Sequence, residues 1–263
     1  MNTRQSEIVD LLRKEECVNV VGLAERFKVV PMTIRRDLRL LEDKGLLVRT
    51  HGGGILSGKL HFLQQAFPHY AVSPRKAAIG KLAAGLVTPG QKVMVDQGTT
   101  TLEVARNFPK NSNITVATTS LCVVQELYRS PLQVLLFGGY VRKEFPSLYG
   151  PLTEAMMTSF HVDILFIGCD GADSKRGFYT SDLHISSLEQ LMITIATRVV
   201  VVTESWKFSN KAFVRFATPQ QVHTLVTDSG LSPTDRTNLE GCGVNILTVE
   251  NEEQELADSL SSK

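Results

Sequence analysis

The chain has 263 residues, 43% of them hydrophobic, with a formal net charge of +1. That is apolar chain enough for a small domain plus one well-buried larger one, and too little net charge for the whole molecule to attract a polyanion, so nucleic-acid affinity would need a local basic patch. Cys17, Cys122, Cys169 and Cys242 are scattered, the six histidines show no ligand pairing, and no apolar run approaches the roughly 18 residues of a membrane span, so a soluble, cytoplasmic protein with reduced thiols and no metal or cofactor is expected.

In chain order, Met1 to Gln5 leads into an amphipathic helix rather than a signal peptide, and Ile8, Leu11 and Leu12 give that helix a buried side. Two short apolar-periodic segments follow, Val20 to Phe27 and Pro31 to Lys44, joined by Lys28-Val29-Val30; this spacing predicts a helix-turn-helix over about residues 20–39. Within the second segment Ile34, Leu38 and Leu41 recur at the helical interval and face a core, which turns Met32, Arg35, Arg36 and Arg39 outward. Such a face suits a DNA groove: guanidinium groups donate to phosphate oxygens or bidentately to guanine, and Thr33 can reach a phosphate or a thymine methyl. Gly45 is placed to cap this helix in a left-handed conformation. Leu46 to His51, followed by Gly52-Gly53-Gly54, reads as a strand and turn, a wing that would set Arg49 and His51 on phosphates.

The ordered run from Val20 through Leu23-Ala24, Phe27, Val29, Thr33-Ile34-Arg35-Arg36-Asp37-Leu38, Leu41-Glu42, Gly45, Leu47 and Arg49 to His51-Gly52-Gly53 resembles the amino-terminal domain of the DeoR family of bacterial sugar-catabolism repressors. One position departs from that family: Val30 stands where a serine usually caps the recognition helix. The loss is about 1 kcal/mol, partly offset by Pro31 at a first-turn position.

Periodicity fades between Ser57 and Pro74, which predicts a winged helix-turn-helix domain over residues 1–57, a linker over 58–74, a second domain over 75–250 and a tail over 251–263. The second domain alternates β-branched runs with amphipathic segments: Lys92 to Val95, Ile114 to Ala117, Val134 to Phe137, Ile164 to Ile167, Val199 to Val202, Leu225 to Thr227 and Val244 to Thr248. That alternation predicts an α/β, Rossmann-like, mostly parallel sheet with crossover helices. Small and hydroxyl residues gather behind successive strands: Asp96-Gln97-Gly98-Thr99-Thr100-Thr101, Thr118-Thr119-Ser120, Gly138-Gly139, Gly168-Cys169-Asp170-Gly171 and Glu204-Ser205-Trp206-Lys207. Open α/β sheets bind ligands at these carboxyl ends. The Gly98 to Thr101 loop opens a helix and can cradle an anion, phosphate above all; Asp96 suits a sugar hydroxyl and Lys207 supplies countercharge.

These positions, together with Lys76, Ile79-Gly80, Arg142, Gly150, Gly177 and Thr227-Asp228, resemble the carboxy-terminal sensor domain of the same family, which binds phosphorylated sugars and is similar in fold to ribose-phosphate isomerases. The resemblance implies an effector site shaped by Asp96, Gly98, Thr99, Thr100, Thr118, Thr119, Ser120, Gly138, Gly139, Arg142, Gly168, Asp170, Gly171 and Lys207, with Arg142 and Lys207 on the anionic group. It also implies operator DNA and a second copy of the chain, as dimer or tetramer, for partners. Departures cluster near the expected site: the family commonly has glutamate at Ile185, lysine at Glu189, asparagine at Thr119 and aspartate at Glu204. Exchanging lysine for Glu189 should favour a less anionic or differently shaped ligand.

Two alternatives accompany a repressor released from its operator by a sugar phosphate. Asp170-Gly171-Ala172-Asp173 resembles the acidic motif of ribose-phosphate isomerases, but the glycine-rich, lysine-containing segment and glutamate that follow in those enzymes are replaced by Ser174-Lys175-Arg176-Gly177-Phe178; no catalytic residue is assigned, and Asp173 reads as a turn residue or hydroxyl acceptor. In the other, the second domain only oligomerises, and its glycines and threonines are loop chemistry.

Overall fold

The structure is a computed structural model that describes residues 3–15, 17–43, 46–50, 52–56, 73–110, 112–142 and 145–250. Two compact units divide the chain, Met1–Phe62 and Leu63–Lys263. Gly45, His51, the side chain of Arg49, the segment 57–72 and the tail 251–263 lie outside the described residues.

In the first unit α1 (Thr3–Glu15), β1 (Cys17–Asn19), α2 (Val20–Phe27), α3 (Pro31–Asp43), β2 (Leu47–Thr50) and β3 (Gly53–Leu56) form a winged helix-turn-helix. Asn19 caps α2 by accepting from the Gly22 amide at 2.6 Å, and Lys28 ends it in the left-handed region at φ 52°. Despite Val30 at the cap position, α3 begins at Pro31, and the Thr33 amide bonds the Val30 carbonyl at 2.9 Å. Ile8, Leu12, Leu23, Ile34, Leu38, Leu41 and Leu47 fill the core. The wing differs from expectation at its glycines: Gly53 and Gly54 belong to strand β3, the middle strand of an antiparallel sheet ordered β1-β3-β2. A Cβ at Gly53 would stand 1.8 Å from the Val18 carbonyl oxygen, so this glycine serves close strand approach rather than a turn.

The second unit is built on a seven-stranded sheet. Ser73 and Pro74, expected in the linker, are the N-cap and first residue of α4 (Pro74–Ala84), where proline's missing amide costs nothing. Then come β4 (Lys92–Val95), α5 (Thr99–Arg106), β5 (Thr115–Thr118), α6 (Leu121–Leu127) and β6 (Gln133–Leu136). After the short pair β7 (Tyr140–Val141) and β8 (Leu148–Tyr149) and helix α7 (Pro151–Met157), the chain returns to the sheet as β9 (Val162–Ile167). A hairpin of β10 (Gly171–Asp173) and β11 (Gly177–Thr180), helix α8 (Leu183–Thr194), β12 (Ala196–Val202), β13 (Val214–Ala217), β14 (Thr224–Asp228), α9 (Pro233–Gly241) and β15 (Asn245–Val249) complete it.

The large sheet is parallel throughout, ordered β15-β14-β12-β9-β4-β5-β6. Both faces are covered, one by a cluster containing Ile79, Leu102, Val123 and Phe166, the other by a cluster containing Leu165, Phe178, Leu188 and Met192. Growth runs from β4 outward through β5 and β6, then restarts at β9 on the other side of β4 and continues through β12, β14 and β15. The direction reverses between β4 and β9, where the carboxyl ends of an α/β sheet open a crevice. A separate antiparallel sheet, β10-β11-β13, was not anticipated from the sequence; its strands are short, and β10 and β11 each begin with a glycine.

Candidate functional site

Each unit presents a site. On α3 the buried row Ile34, Leu38 and Leu41 leaves Met32, Arg35, Arg36 and Arg39 exposed along one face, with Thr33 half-buried at its edge. Asp37, between these arginines in sequence, points the other way. Only 3% exposed, it accepts from Arg4 Nε at 2.6 Å and Gln5 Nε2 at 2.9 Å and so fastens α1 to α3. A carboxylate turned inward leaves the outer face cationic.

In the second unit a cavity of about 410 Å³ opens at the β4/β9 reversal. Its wall is made by the residues after β4 (Asp96 to Thr101), after β9 (Gly168 to Asp170) and after β12 (Thr203, Glu204, Trp206, Lys207), joined by Lys76 of α4, Arg142, Phe145, Thr180 to Asp182, and Glu189 of α8. Asp96, Gly98, Thr99, Thr100, Arg142, Gly168, Asp170 and Lys207 thus meet in one place. Gly98, at φ 149°, turns the chain out of β4 into α5, whose first residues Thr99, Thr100 and Thr101 form part of the wall. Helix starts leave amides unpaired, which suits an anion.

The remaining predicted residues sit elsewhere. Thr118 donates to the Val95 carbonyl at 2.7 Å and accepts from the Ser120 amide at 3.0 Å, locking β5 to β4, while the Ser120 hydroxyl caps α6 by accepting from the Val123 amide at 3.3 Å. Thr119 is fully buried and its hydroxyl has no partner. The Gly138 carbonyl accepts from the Thr153 hydroxyl at 2.7 Å; a Cβ at Gly139 would lie 2.0 Å from Thr153 Oγ1, and one at Gly171 2.5 Å from the Asn210 carbonyl oxygen. None of these six lines the cavity. Asp173 is the turn residue expected, accepting at Oδ1 from the amides of Lys175 and Arg176.

The cavity's charges are uneven. Asp96, Asp170, Asp182, Glu189 and Glu204 face Lys76, Arg142 and Lys207, five carboxylates against three cations. Two of the cations are engaged: Arg142 Nη2 donates to Asp182 Oδ2 at 2.8 Å, and Lys76 Nζ lies 3.8 Å from Glu204 Oε2. Lys207 Nζ stands 4.4 Å from the centre of the Trp206 ring, which leaves it available to a ligand. Asp228 sets its position: the carboxylate accepts from the Ser205 amide at 2.8 Å and the Ser205 hydroxyl at 2.6 Å, anchoring the 3-10 turn Ser205–Ser209. Burial works against that charge, but the Ser205 and Gly230 bonds and the Arg75 charge hold the carboxyl below the usual range.

Asp96 and Glu189 behave oppositely. Asp96 is 2% exposed with Oδ1 lacking a partner; burial pushes its carboxyl up to about 7, against the pull of the Gln97 and Gly168 amides. Glu189 is 4% exposed with Oε2 lacking a partner, and burial, followed by the charges of Asp96 and Asp170, raises it well above the usual range. Burial likewise pushes the Cys169 thiol to about 12, so it is no thiolate nucleophile at neutral pH. Gln97, Cys169, Asp182 and Trp206 were not among the assigned site residues, and Lys76 and Glu189 were placed at or near the site only by the family resemblance. Lys76 and Glu189 lie on helices remote in sequence from the strand-end loops, and only the crossovers bring them there.

Among the described residues no group of histidine, cysteine or carboxylate side chains is placed to hold a metal ion, and no helix is long and apolar enough to cross a membrane.

Comparison with known proteins gives matches over nearly the whole chain. The family model described as the DeoR-like helix-turn-helix domain matches residues 4–58, and that of the DeoR C terminal sensor domain matches residues 72–229. The chain is 30% identical to a putative aga operon transcriptional repressor of Escherichia coli O157:H7, over 94% of this chain and 93% of that protein. It is 33% identical to the HTH-type transcriptional regulator GlpR of Haloferax volcanii, over 93% and 96%, and 36% identical to the transcriptional repressor AccR of Agrobacterium fabrum, over 86% and 89%. Among solved structures, the full-length sorbitol operon regulator SorC of Klebsiella pneumoniae aligns over 89% of this chain and 97% of its own, with a TM-score of 0.40 and 14% identity. Ribose 5-phosphate isomerase A of Methanocaldococcus jannaschii aligns over 50% and 52%, with a TM-score of 0.38 and 16% identity.

Proposed function

The chain belongs to the DeoR family of transcriptional regulators, and from that premise we propose that it represses a carbohydrate-utilisation operon and is released from its operator by a phosphorylated sugar. The observation that carries the effector half is the convergence, at the sheet's reversal point, of a helix start rich in hydroxyls with the available Lys207. Phosphate oxygens accept from the first-turn amides of α5, the Thr99 and Thr100 hydroxyls and Lys207, while Asp96 accepts from sugar hydroxyls. The operator half rests on the exposed face of α3: Arg35, Arg36 and Arg39 reach phosphates or guanine edges, and Met32 and Thr33 meet the groove wall. Arg49 and His51 of the wing add backbone contacts. Two copies of the chain hold two half-sites, and the ligand favours the arrangement that does not fit the operator, since equal affinity for both would shift nothing.

An enzymatic reading is weaker. The relatives named above are regulators over about nine-tenths of their length, and the Asp173 carboxylate is engaged by its own turn.

Trp206, half exposed at the cavity rim, provides the test. Titration with a panel of sugar phosphates should give a saturable change in its fluorescence, and Lys207→Ala should raise the fitted Kd about tenfold, the worth of one charge-assisted contact. Saturation with an unchanged Kd in the variant removes Lys207 from the site; no saturable response to any sugar phosphate contradicts the effector assignment.

A further inference from the structure

Phosphate accounts for the α5 start and Lys207, and leaves two buried carboxylates of the same cavity without a donor matched to their charge. Asp96 and Glu189 line the same cavity as Lys207, each more than nine-tenths buried and each with one carboxylate oxygen that meets no donor. Buried acceptors without donors are costly, and two of them in one cavity mark a place built for a donor that arrives with the ligand. Neighbouring cations do not fill that need. Arg142 is bonded to Asp182, and Lys76 is drawn to Glu204. A purely anionic ligand would enter a wall already carrying more carboxylates than cations.

We propose that the effector is an amino sugar phosphate, whose protonated amine is held between Asp96 and Glu189 while its phosphate lies against the α5 start and Lys207. The inference rests on the sugar-phosphate reading above and names the substituent that completes it. An ammonium offers three donors and a full positive charge; a hydroxyl offers one donor and no charge to offset the two carboxylates. Before binding, the wall reduces its own charge by retaining protons: burial raises both groups, the Asp170 charge adds to the rise at Asp96, the Asp96, Asp170 and Asp182 charges add to it at Glu189, and Arg142 opposes both. The amine replaces those protons, which leave to solvent, so proton release accompanies binding.

The test is calorimetric titration of the full-length protein with two matched pairs, glucosamine 6-phosphate against glucose 6-phosphate and galactosamine 6-phosphate against galactose 6-phosphate, in two buffers of different ionisation heat near pH 7. The amino member of at least one pair should bind about tenfold or more tightly than its partner and release protons, since a charged hydrogen-bonded contact is worth about that factor. Glu189→Gln, which keeps the shape and removes the charge, should bring the preference below about threefold, on the same scale. Hydroxyl sugar phosphates that bind as tightly as their amino partners in both pairs, or amino binding without proton release, overturn the proposal and leave the sugar-phosphate reading standing. If no member of either pair binds, this inference falls, and the sugar-phosphate reading falls with it only when the wider panel of sugar phosphates also gives no saturable response.

Discussion

Asp96→Asn should stabilise the second unit at neutral pH and damage its response to effector. The native carboxyl titrates at about 7 instead of 3.8 because burial disfavours its charge. Between those two values the folded state holds a proton that the unfolded chain has released, so stability falls as pH rises through that window. A shift of about three units corresponds to a ceiling of about 4 kcal/mol at pH 7. Asparagine carries no charge to desolvate, and its amide nitrogen can take the place of the unpartnered Oδ1. Removing the Asp96 charge also lowers the repulsion on Glu189. Chemical denaturation of wild type and variant, followed through the second unit's transition from pH 4 to pH 7, should give nearly equal stabilities at the acid end and a widening advantage for the variant toward neutrality, alongside weaker sugar-phosphate binding. A stability difference that does not change across this range, or a variant less stable at pH 7, would refute the reasoning that Asp96 is a strained, ligand-directed carboxylate.

Substitutions at three further positions test other parts of the structure. Arg36→Ala should weaken operator binding about tenfold, with a salt slope shallower by about one if the contact is to phosphate and relaxed base preference if it is to guanine; mobility shifts at two salt concentrations distinguish these, and an unaltered isotherm removes Arg36 from the interface. Asp37→Ala leaves Arg4 and Gln5 without their shared acceptor and should cost the first unit about 2–4 kcal/mol, read as a lower melting temperature, with Asp37→Asn intermediate because it still accepts from Gln5; an unchanged melt would show that the bonds do not hold α1 to α3. Gly80→Ala places a methyl 2.5 Å from the backbone carbonyl carbon of Glu103, where α4 crosses α5, and should destabilise the second unit by about 1–3 kcal/mol; a neutral effect would mean the helices separate freely.

The sheet was readable from sequence because a strand buried on both faces writes itself as a β-branched run, and Lys92 to Val95 forms a strand with the ends expected. Others shifted by a residue. Ile114 precedes β5, and Phe137 follows β6, although its amide still bonds the Thr118 carbonyl at 2.9 Å. The hairpin of β10 and β11 escaped notice because Gly171-Ala172-Asp173 is too short and too small to show alternation. For the cavity, the strand-end loops were visible as clusters of glycine and threonine, but a hydroxyl in a sequence does not reveal which way it donates. Thr118 and Ser120 look like ligand groups and instead satisfy the backbone between strand and helix. Glu189 shows a different case: the resemblance placed it near the site, but its burial comes from the packing of α8 on the sheet, which the residue pattern does not show.

The central claim, that one chain binds operator DNA and lets go in response to a sugar phosphate, is tested most directly by mobility shift of DNA from its own upstream region, with and without a panel of plain and amino-substituted sugar phosphates. The account predicts a specific complex that at least one of these compounds dissociates at micromolar to millimolar concentration. A specific complex that every member of the panel leaves intact, or no specific complex at all, would contradict it.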